Sequence, residues 1–588
     1  MPRPISRREF LRVSAMAVAG TTLVACAVPS PAAPAAPGST AAEGAVGAPV
    51  KTVWGRVLPD DAAPWEQQVY LAEPGAEPAH LDPARDIYSG GGLNICTEPL
   101  VRRDENQQIV PALAESWKVA DDATYVEFTI REGAKWSDGK PVTSDDFIFA
   151  YQHMADPAMA NPWAWYYYDI KGFKDANTGT GSLEDIGAEK IDDRNFRVYG
   201  NGPTPHLLSL LSYQAAVPVP AHVAKDNPGN WAASIDTFVG CGPWKPVEWE
   251  HNRRIVFEPN EFYNGPHKPG IRRIVQTLVP AGSQFDPLNS FLANEVDLLH
   301  ILTAQQVLTL RADPKTAELL HSTNNFQSAY LQLDTLHAPL DKLELRQALS
   351  HAIDRETLST KVMQGTTVPG YSMLPPGFPA YNADLKSVQN YDVDAAKKLL
   401  ADAGYADGKD SSGNPLTLEI FSNGRDMELE FVKEQWETNL GITVNLTVLE
   451  GGVWAQRRAE HSMQIYRGPY EYDYLDPANM LTSLWRSTDE KGSPRHSWIN
   501  KQFDDLVNEA GKTADDTKRI DLYQQAERIL VEDVGGIFLS HQVIFQVWWP
   551  YITGIHPDST GNVIYRWLDI ALYQMYIRND VGNFRQPA

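Results

Sequence analysis

From residue 340 onward the chain alternates two hydrophobic periods, and this alternation limits the folds open to it more than any other feature. Leu345, Leu349, Ala352 and Ile353 recur at i, i+4, i+7 and i+8, the spacing of one helical face. Val393, Ala396, Leu399, Leu400 and Ala403 form a second helical stripe, with Asp392 placed to cap its start and Gly404 to end it. Ile442, Val444, Leu446 and Val448 keep a period of two, as a half-buried strand does. Strands and helices spaced in this way read as βαβ-like units, a sheet covered by helices. Upstream, Val126, Phe128 and Ile130 alternate with Tyr125, Glu127, Thr129 and Arg131, and segments 193–199 and 253–258 repeat that strand pattern. No internal repeat of fixed period is present. The fold class is α/β.

A chain of 588 residues has room for two to four domains. Apolar residues at 43% and charged residues at 21% describe a globular body rather than a disordered one. The net charge of −24 repels nucleic acid and offers no general attraction to anionic lipid, so neither is an expected partner of the body. The 16 Trp, 24 Tyr and 19 Phe build cores, and they also line pockets in which one face is apolar and one edge hydrogen-bonds.

The first 26 residues read as an address. A short basic stretch with Arg3, Arg7 and Arg8 is followed by the small, apolar run 13–25, which is too short to cross the roughly 30 Å hydrocarbon core. Ser6 to Arg12 resembles a twin-arginine export signal, which a receptor reads. Leu23-Val24-Ala25-Cys26 resembles a bacterial lipobox, in which a peptidase cuts before the cysteine and its thiol carries lipid. The alternative is an ordinary signal with an incidental Cys26. Residues 27–50 are Ala, Val, Pro, Ser, Gly, Thr and one Glu, a composition that cannot bury a core and reads as a tether. Nothing later approaches 18 uninterrupted apolar residues. Outside the cytoplasm a disulfide is permitted, so Cys96 and Cys241 are either a bridge or two separate buried thiols.

Motifs for catalysis fail one by one. Gly90-Gly91-Gly92 is followed by no Lys-Ser/Thr, and no His-Glu-x-x-His occurs. Gly370-Tyr371-Ser372 lacks the second glycine of a nucleophile elbow. Ser137-Asp138-Gly139-Lys140 matches Ser-x-x-Lys, but Gly139 and Pro141 predict a turn between strand and helix rather than a shared helical face. The 14 His show no ligand-like spacing, and no metal or cofactor is implied. An enzyme finds no positive support.

Several segments together resemble one family. Pro111 to Trp117, then Glu127 to Arg131, then Trp136 to Phe147 look like the signature region of the dipeptide/oligopeptide-binding family, the extracellular solute-binding proteins of ABC importers. Glu77 to Pro83 resembles the exit of its first strand, and Gly240-Cys241-Gly242-Pro243-Trp244 its Gly-x-Gly-Pro-aromatic turn. Leu345 to Asp354 resembles its long helix, Leu374 to Phe378 the loop after it, and Asp473-Tyr474-Leu475-Asp476-Pro477 its Asp-Tyr-x-x-Pro element. Their order across about 500 residues carries the resemblance.

The resemblance implies a two-lobed clamshell of the periplasmic-binding-protein kind, with a discontinuous first lobe, an inserted smaller domain and a single α/β second lobe. The expected division is signal 1–25, lipidated Cys26 and tether 26–52, first lobe 53–100, insertion 101–210, first lobe again 211–305, second lobe 306–545 and first lobe 546–588. Residues 570–577 would return as a strand. It also implies that Asp473 holds a peptide's α-ammonium, with Arg467, Tyr470 and Arg458 nearby and the guanidinium groups taking a carboxylate. Glu77 and His80 would stand at the rim. The implied partners are a short peptide, the permease subunits of the importer and membrane lipid through Cys26, with the protein itself a monomer. Another solute remains open, such as an oligosaccharide, an opine or a metal chelate, since Trp163 to Tyr168 would also suit a sugar; a secreted hydrolase is the distant alternative.

Overall fold

The computed structural model describes residues 49–86, 95–104, 106–213, 216–280, 285–556 and 569–585. The address, Cys26, most of the tether and Gly90 to Gly92 lie outside the described residues.

Three sheets organise the body. A seven-stranded sheet places its strands in the order Leu298–Leu299, Gly536–Trp548, Leu320–Leu333, Ile465–Glu471, Thr417–Ser422 and Thr443–Val448, with Thr367–Pro369 paired onto Gly536–Trp548. Thr417–Ser422 runs parallel to both its neighbours, which requires crossovers, and helix Met427–Leu440 supplies one of them. The helical stripes read from sequence form as expected. Leu343–His351 buries Leu345 and Leu349, and Val393–Asp402 is capped by Asp392, which accepts from Ala395 N at 2.9 Å. Both pack with Met427–Leu440 on one face of the sheet, against Leu418, Ile420, Ile465 and Ile537. Burying each such Leu or Ile contributes about 1.5–3 kcal/mol. The sheet reaches in sequence from Leu298 to Trp548.

The second sheet joins Val69–Ala76, Arg273–Val279, Arg254–Pro259 and Trp244–Glu250, the first pair parallel and the others antiparallel. The third sheet, Ala114–Val119, Tyr125–Ile130, Asn195–Tyr199 and Ala188–Lys190, falls in the chain between the first strand of the second sheet and its other three. One lobe is therefore discontinuous and carries an insertion. Ser137 to Lys140 is the turn that Gly139 allows, at φ +86, and helix Ser144–Ala155 follows it behind a Thr143/Asp146 capping box.

Buried Asp297 ties distant segments of the chain together. It accepts from Leu71 N at 2.7 Å and from the Tyr551 hydroxyl at 2.6 Å, and it pairs with Arg585 at 3.0 Å. The C-terminal segment does return to the first lobe, but not as one strand. Residues Asp569–Gln574 are helical and only Tyr576–Ile577 is extended, pairing with Ile552–Thr553. A short apolar run satisfies either period, so its length could not separate helix from strand.

Cys96 and Cys241 are buried free thiols, not a bridge. Gly242 N donates to Cys96 O at 2.8 Å, and Glu98 N donates to the Cys241 sulfur at 3.4 Å. Burial raises the pKa of both thiols, Cys241 to about 12, which keeps them protonated. Among the described residues no helix is long and apolar enough to cross a membrane, and no group of three or more His, Cys, Asp or Glu could hold a metal.

Candidate ligand-binding site

The parallel strands of the seven-stranded sheet end on one edge, and helix Met427–Leu440 starts there behind an Asp426 cap. Ligand sites in open α/β sheets lie outside such carboxyl ends. A cavity of about 300 Å³ opens at this edge. Phe421, Leu429, Trp454 and Tyr466 supply apolar wall, and Arg458, Arg467 and Arg495 supply charge. Trp454 meets Tyr466 edge to face at 5.4 Å, which fixes helix Gly451–Ala459 against the strand.

Strand Ile465–Glu471 carries Arg467 and Tyr470, and the chain turns immediately after it through Asp473. Asp473 is 7% exposed. Its backbone N–H donates to Asn479 Oδ1 at 2.9 Å, Asn479 Nδ2 donates back to Oδ2 at 3.3 Å, and the Tyr470 hydroxyl donates to the same oxygen. Burial, then the Asp473 charge, push the Tyr470 phenol well above its ordinary pKa, so it stays a donor. Asp476, three residues on, is engaged by the Arg519 guanidinium.

Arg467 and Arg458 do not share a role. The Arg467 guanidinium pairs with Glu428, whose side chain is 1% exposed, and with Asp426 at 3.6 Å. Arg458, at the end of helix Gly451–Ala459, lies close enough to Tyr466 to oppose the burial that raises that phenol to about 12. Among the described residues no carboxylate pairs with Arg458 or Arg495.

Glu77 and His80 stand apart from this cavity. Glu77 accepts from Trp249 Nε1 at 2.9 Å, His251 Nδ1 at 2.7 Å and Asn252 N at 2.8 Å, which braces the hairpin joining Trp244–Glu250 to Arg254–Pro259. Burial opposes ionisation there, but these donors hold the carboxyl below its ordinary pKa. His80 is half-buried and contacts Arg85 Nη1 at 3.3 Å; burial and then the Arg85 charge lower its pKa.

Sequence reasoning missed Arg495 and Trp165 as partners. Arg495 lies 5.4 Å from the centroid of the Tyr470 ring and 5.5 Å from that of Trp165. Trp165 belongs to the inserted segment and stacks on Tyr166 at 3.9 Å. His206, also from that side, stacks on Tyr474 at 5.9 Å while bonding Asp169 at 2.8 Å. No periodicity could have signalled these contacts, because they join segments far apart in the chain. Only the cluster of aromatics at 163–168 marked one half of them.

Two lobes, one of them discontinuous, with a polar cavity at a sheet edge and the inserted segment's Trp165 in contact with Arg495 of its wall, define a binding protein for a small ligand. The family profile described as bacterial extracellular solute-binding proteins, family 5 Middle, matches residues 108–492, and the chain belongs to that family. It is 28% identical over 501 residues to the oligopeptide-binding protein OppA of Bacillus subtilis, covering 83% of this chain and 90% of that one. It is 29% identical over 533 residues to the periplasmic oligopeptide-binding protein OppA of Salmonella typhimurium, covering 85% and 92%. Among solved structures, Haemophilus influenzae OppA in complex with the peptide RPPGFSPFR superimposes with a TM-score of 0.69 at 25% identity, covering 87% and 99%.

Proposed function

We propose that the protein captures short peptides outside the membrane, encloses them between its lobes and delivers them to the permease of an ABC importer. The observation that carries this reading is Asp473, a buried carboxylate held by Tyr470 and Asn479 just after the strand that carries Arg467 to the cavity wall, and we read it as the acceptor of a peptide's α-ammonium. Arg467 holds the wall of the cavity through Glu428 and Asp426, and Arg458 faces the ligand. Glu77 and His80 shape the first lobe rather than touch the ligand. The protein performs no catalysis. Cys26 carries lipid, residues 26–52 tether the body to the outer face of a membrane, and the body acts as a monomer with the division given above.

Calorimetry with a free tripeptide, its N-acetyl derivative and the Asp473→Asn variant tests the ligand. Stranding one charge of a buried pair costs about 3–5 kcal/mol, so either change should weaken binding by roughly two to three orders of magnitude. Together they should cost far less than the sum, because both remove the same contact. If no peptide binds while a neutral sugar does, indifferent to Asp473→Asn, the peptide reading fails and the binding protein remains.

A further inference from the structure

The first folded element after the tether is a tight hairpin, and it is pinned from inside. Lys51 pairs with Val57 across it, Leu58 N donates to Val50 O at 2.8 Å, and Gly55 makes the tip at φ +87. Trp54 is buried and meets Trp65, Trp244 and Tyr263 edge to face at 6.0, 6.0 and 6.5 Å. Its indole N–H donates to Asn260 O at 3.0 Å. With Trp54 turned inward its neighbours face out. Val53 and Val57 are 57% and 58% exposed, on a turn whose buried indole fixes them there.

Cations surround the same tip. A Cβ placed on Gly55 would lie 3.8 Å from Lys51 Cε and 4.0 Å from Lys268 Nζ, so both lysine side chains gather there. Arg56 donates to the carbonyls of Lys268 at 3.3 Å and Gln574 at 3.0 Å, and to that of Tyr573. These carbonyls hold its geometry without cancelling its charge. A cavity of about 360 Å³ opens beside it, lined by Arg56, Pro266, His267, Lys268, Tyr573 and Gln574, with no carboxylate in its wall. Among the described residues no carboxylate pairs with Lys51, Arg56 or Lys268. Of the acids that follow in sequence, Asp61 pairs with Arg578 at 3.7 Å and Glu66 with Arg272 at 3.1 Å. Three positive charges and two exposed valines thus share one small face of a protein whose net charge is −24.

We infer that this hairpin is a second contact with the membrane: Lys51, Arg56 and Lys268 meet the phosphates of anionic lipids, and Val53 and Val57 dip among the headgroups. The inference rests on the reading that Cys26 anchors the chain, because the anchor brings the patch to the surface and the patch fixes which side of the body faces it. An anchored patch needs only modest affinity to set that orientation, since its contact is in effect intramolecular. Charge and apolar area are the two ingredients of interfacial binding. Each Lys or Arg near an anionic leaflet contributes about fivefold in partitioning. The overall negative charge opposes this only weakly, because at physiological salt a charge more than about 8 Å from the headgroups is largely screened. A bare phosphate offers the valines nothing, so a lipid surface is the occupant that uses both halves of the patch.

The test is flotation with vesicles of phosphatidylcholine, alone or with about one third phosphatidylglycerol. Residues 49–588 pack as one compact unit, so a chain that starts at residue 27, without the leader and the acylated cysteine, keeps the body whole. It should bind the anionic vesicles at least tenfold better than the neutral ones. Lys51→Gln with Lys268→Gln should weaken that binding roughly twentyfold, at about fivefold per lysine. Lys409→Gln with Lys512→Gln removes the same charge from exposed positions elsewhere and should change it less than twofold. Val53→Ser with Val57→Ser should weaken it several-fold with the charge intact, and thermal melting confirms that each variant folds. Equal losses from the two lysine pairs, or no preference for the anionic vesicles, overturn the inference. The anchor is judged separately, by fractionating cells that make the unaltered chain or Cys26→Ser. If the two fractionate alike the anchor reading fails, while the vesicle result still decides for or against the patch.

Discussion

Arg467 and Arg495 line the same cavity and do different things. Arg467 pairs with Glu428 and Asp426, and Arg495 lies over two aromatic rings, Trp165 and Tyr470. The first sits beside the Asp-Tyr-x-x-Pro element in sequence and seemed destined for the ligand; the second lies in a loop that no pattern singles out. Proximity to a motif places a side chain near a site. Whether its charge is available depends on which opposite charges the fold has already brought to it, and those come from remote segments.

Removing each arginine should separate the two roles. Arg467→Met leaves the nearly unexposed Glu428 side chain without its cation, which costs about 3–5 kcal/mol of stability by urea unfolding. Arg495→Met loses contacts to two rings, each worth ~0.5–1 kcal/mol where solvent reaches them, so its unfolding midpoint should move little while ligand affinity falls. If Arg495→Met proves the more destabilising of the two, the contrast is broken.

Asp473 and Asp476 form a second such pair within one turn. Asp476→Asn strands Arg519, whose side chain is 6% exposed, and should cost about 3 kcal/mol of stability. Asp473→Asn should instead be felt mainly in binding. A melting shift of equal size in both variants would mean that Asp473 is structural.

A smaller effect concerns acid. Burial lowers the His496 pKa from 6.5 to about 3, so the folded protein binds that proton less readily than the unfolded chain. Its contribution to stability is present above pH 6.5 and is lost as pH falls toward about 3. His496→Gln should flatten the acid limb of the stability profile across that window, read by chemical unfolding at stepped pH. An unchanged slope would place the acid sensitivity elsewhere, as in His541, which burial also lowers to about 3.

What sequence revealed and what it hid follow the same physical line. Local periodicity gave strand Tyr125–Ile130, helix Val393–Asp402 with its Asp392 cap, and the turn at Gly139, because each is decided by neighbours within a few residues. The order of segments gave the two-lobed architecture. Residues 570–577 were misread because six or eight apolar residues satisfy a helix as well as a strand. Glu77 looked like a rim residue, yet its carboxylate is used by Trp249, His251 and Asn252, all distant in sequence. The Trp165–Arg495–Tyr470 arrangement was hidden for the same reason.

Native mass spectrometry of the full chain, purified without denaturation from the cells that make it, tests the central claim most directly. A lobe-enclosed ligand is released slowly enough to be carried through purification. The account predicts adducts with the masses of short peptides, lost on Asp473→Asn and displaced by added trialanine. An adduct of another chemical class that survives Asp473→Asn would contradict it.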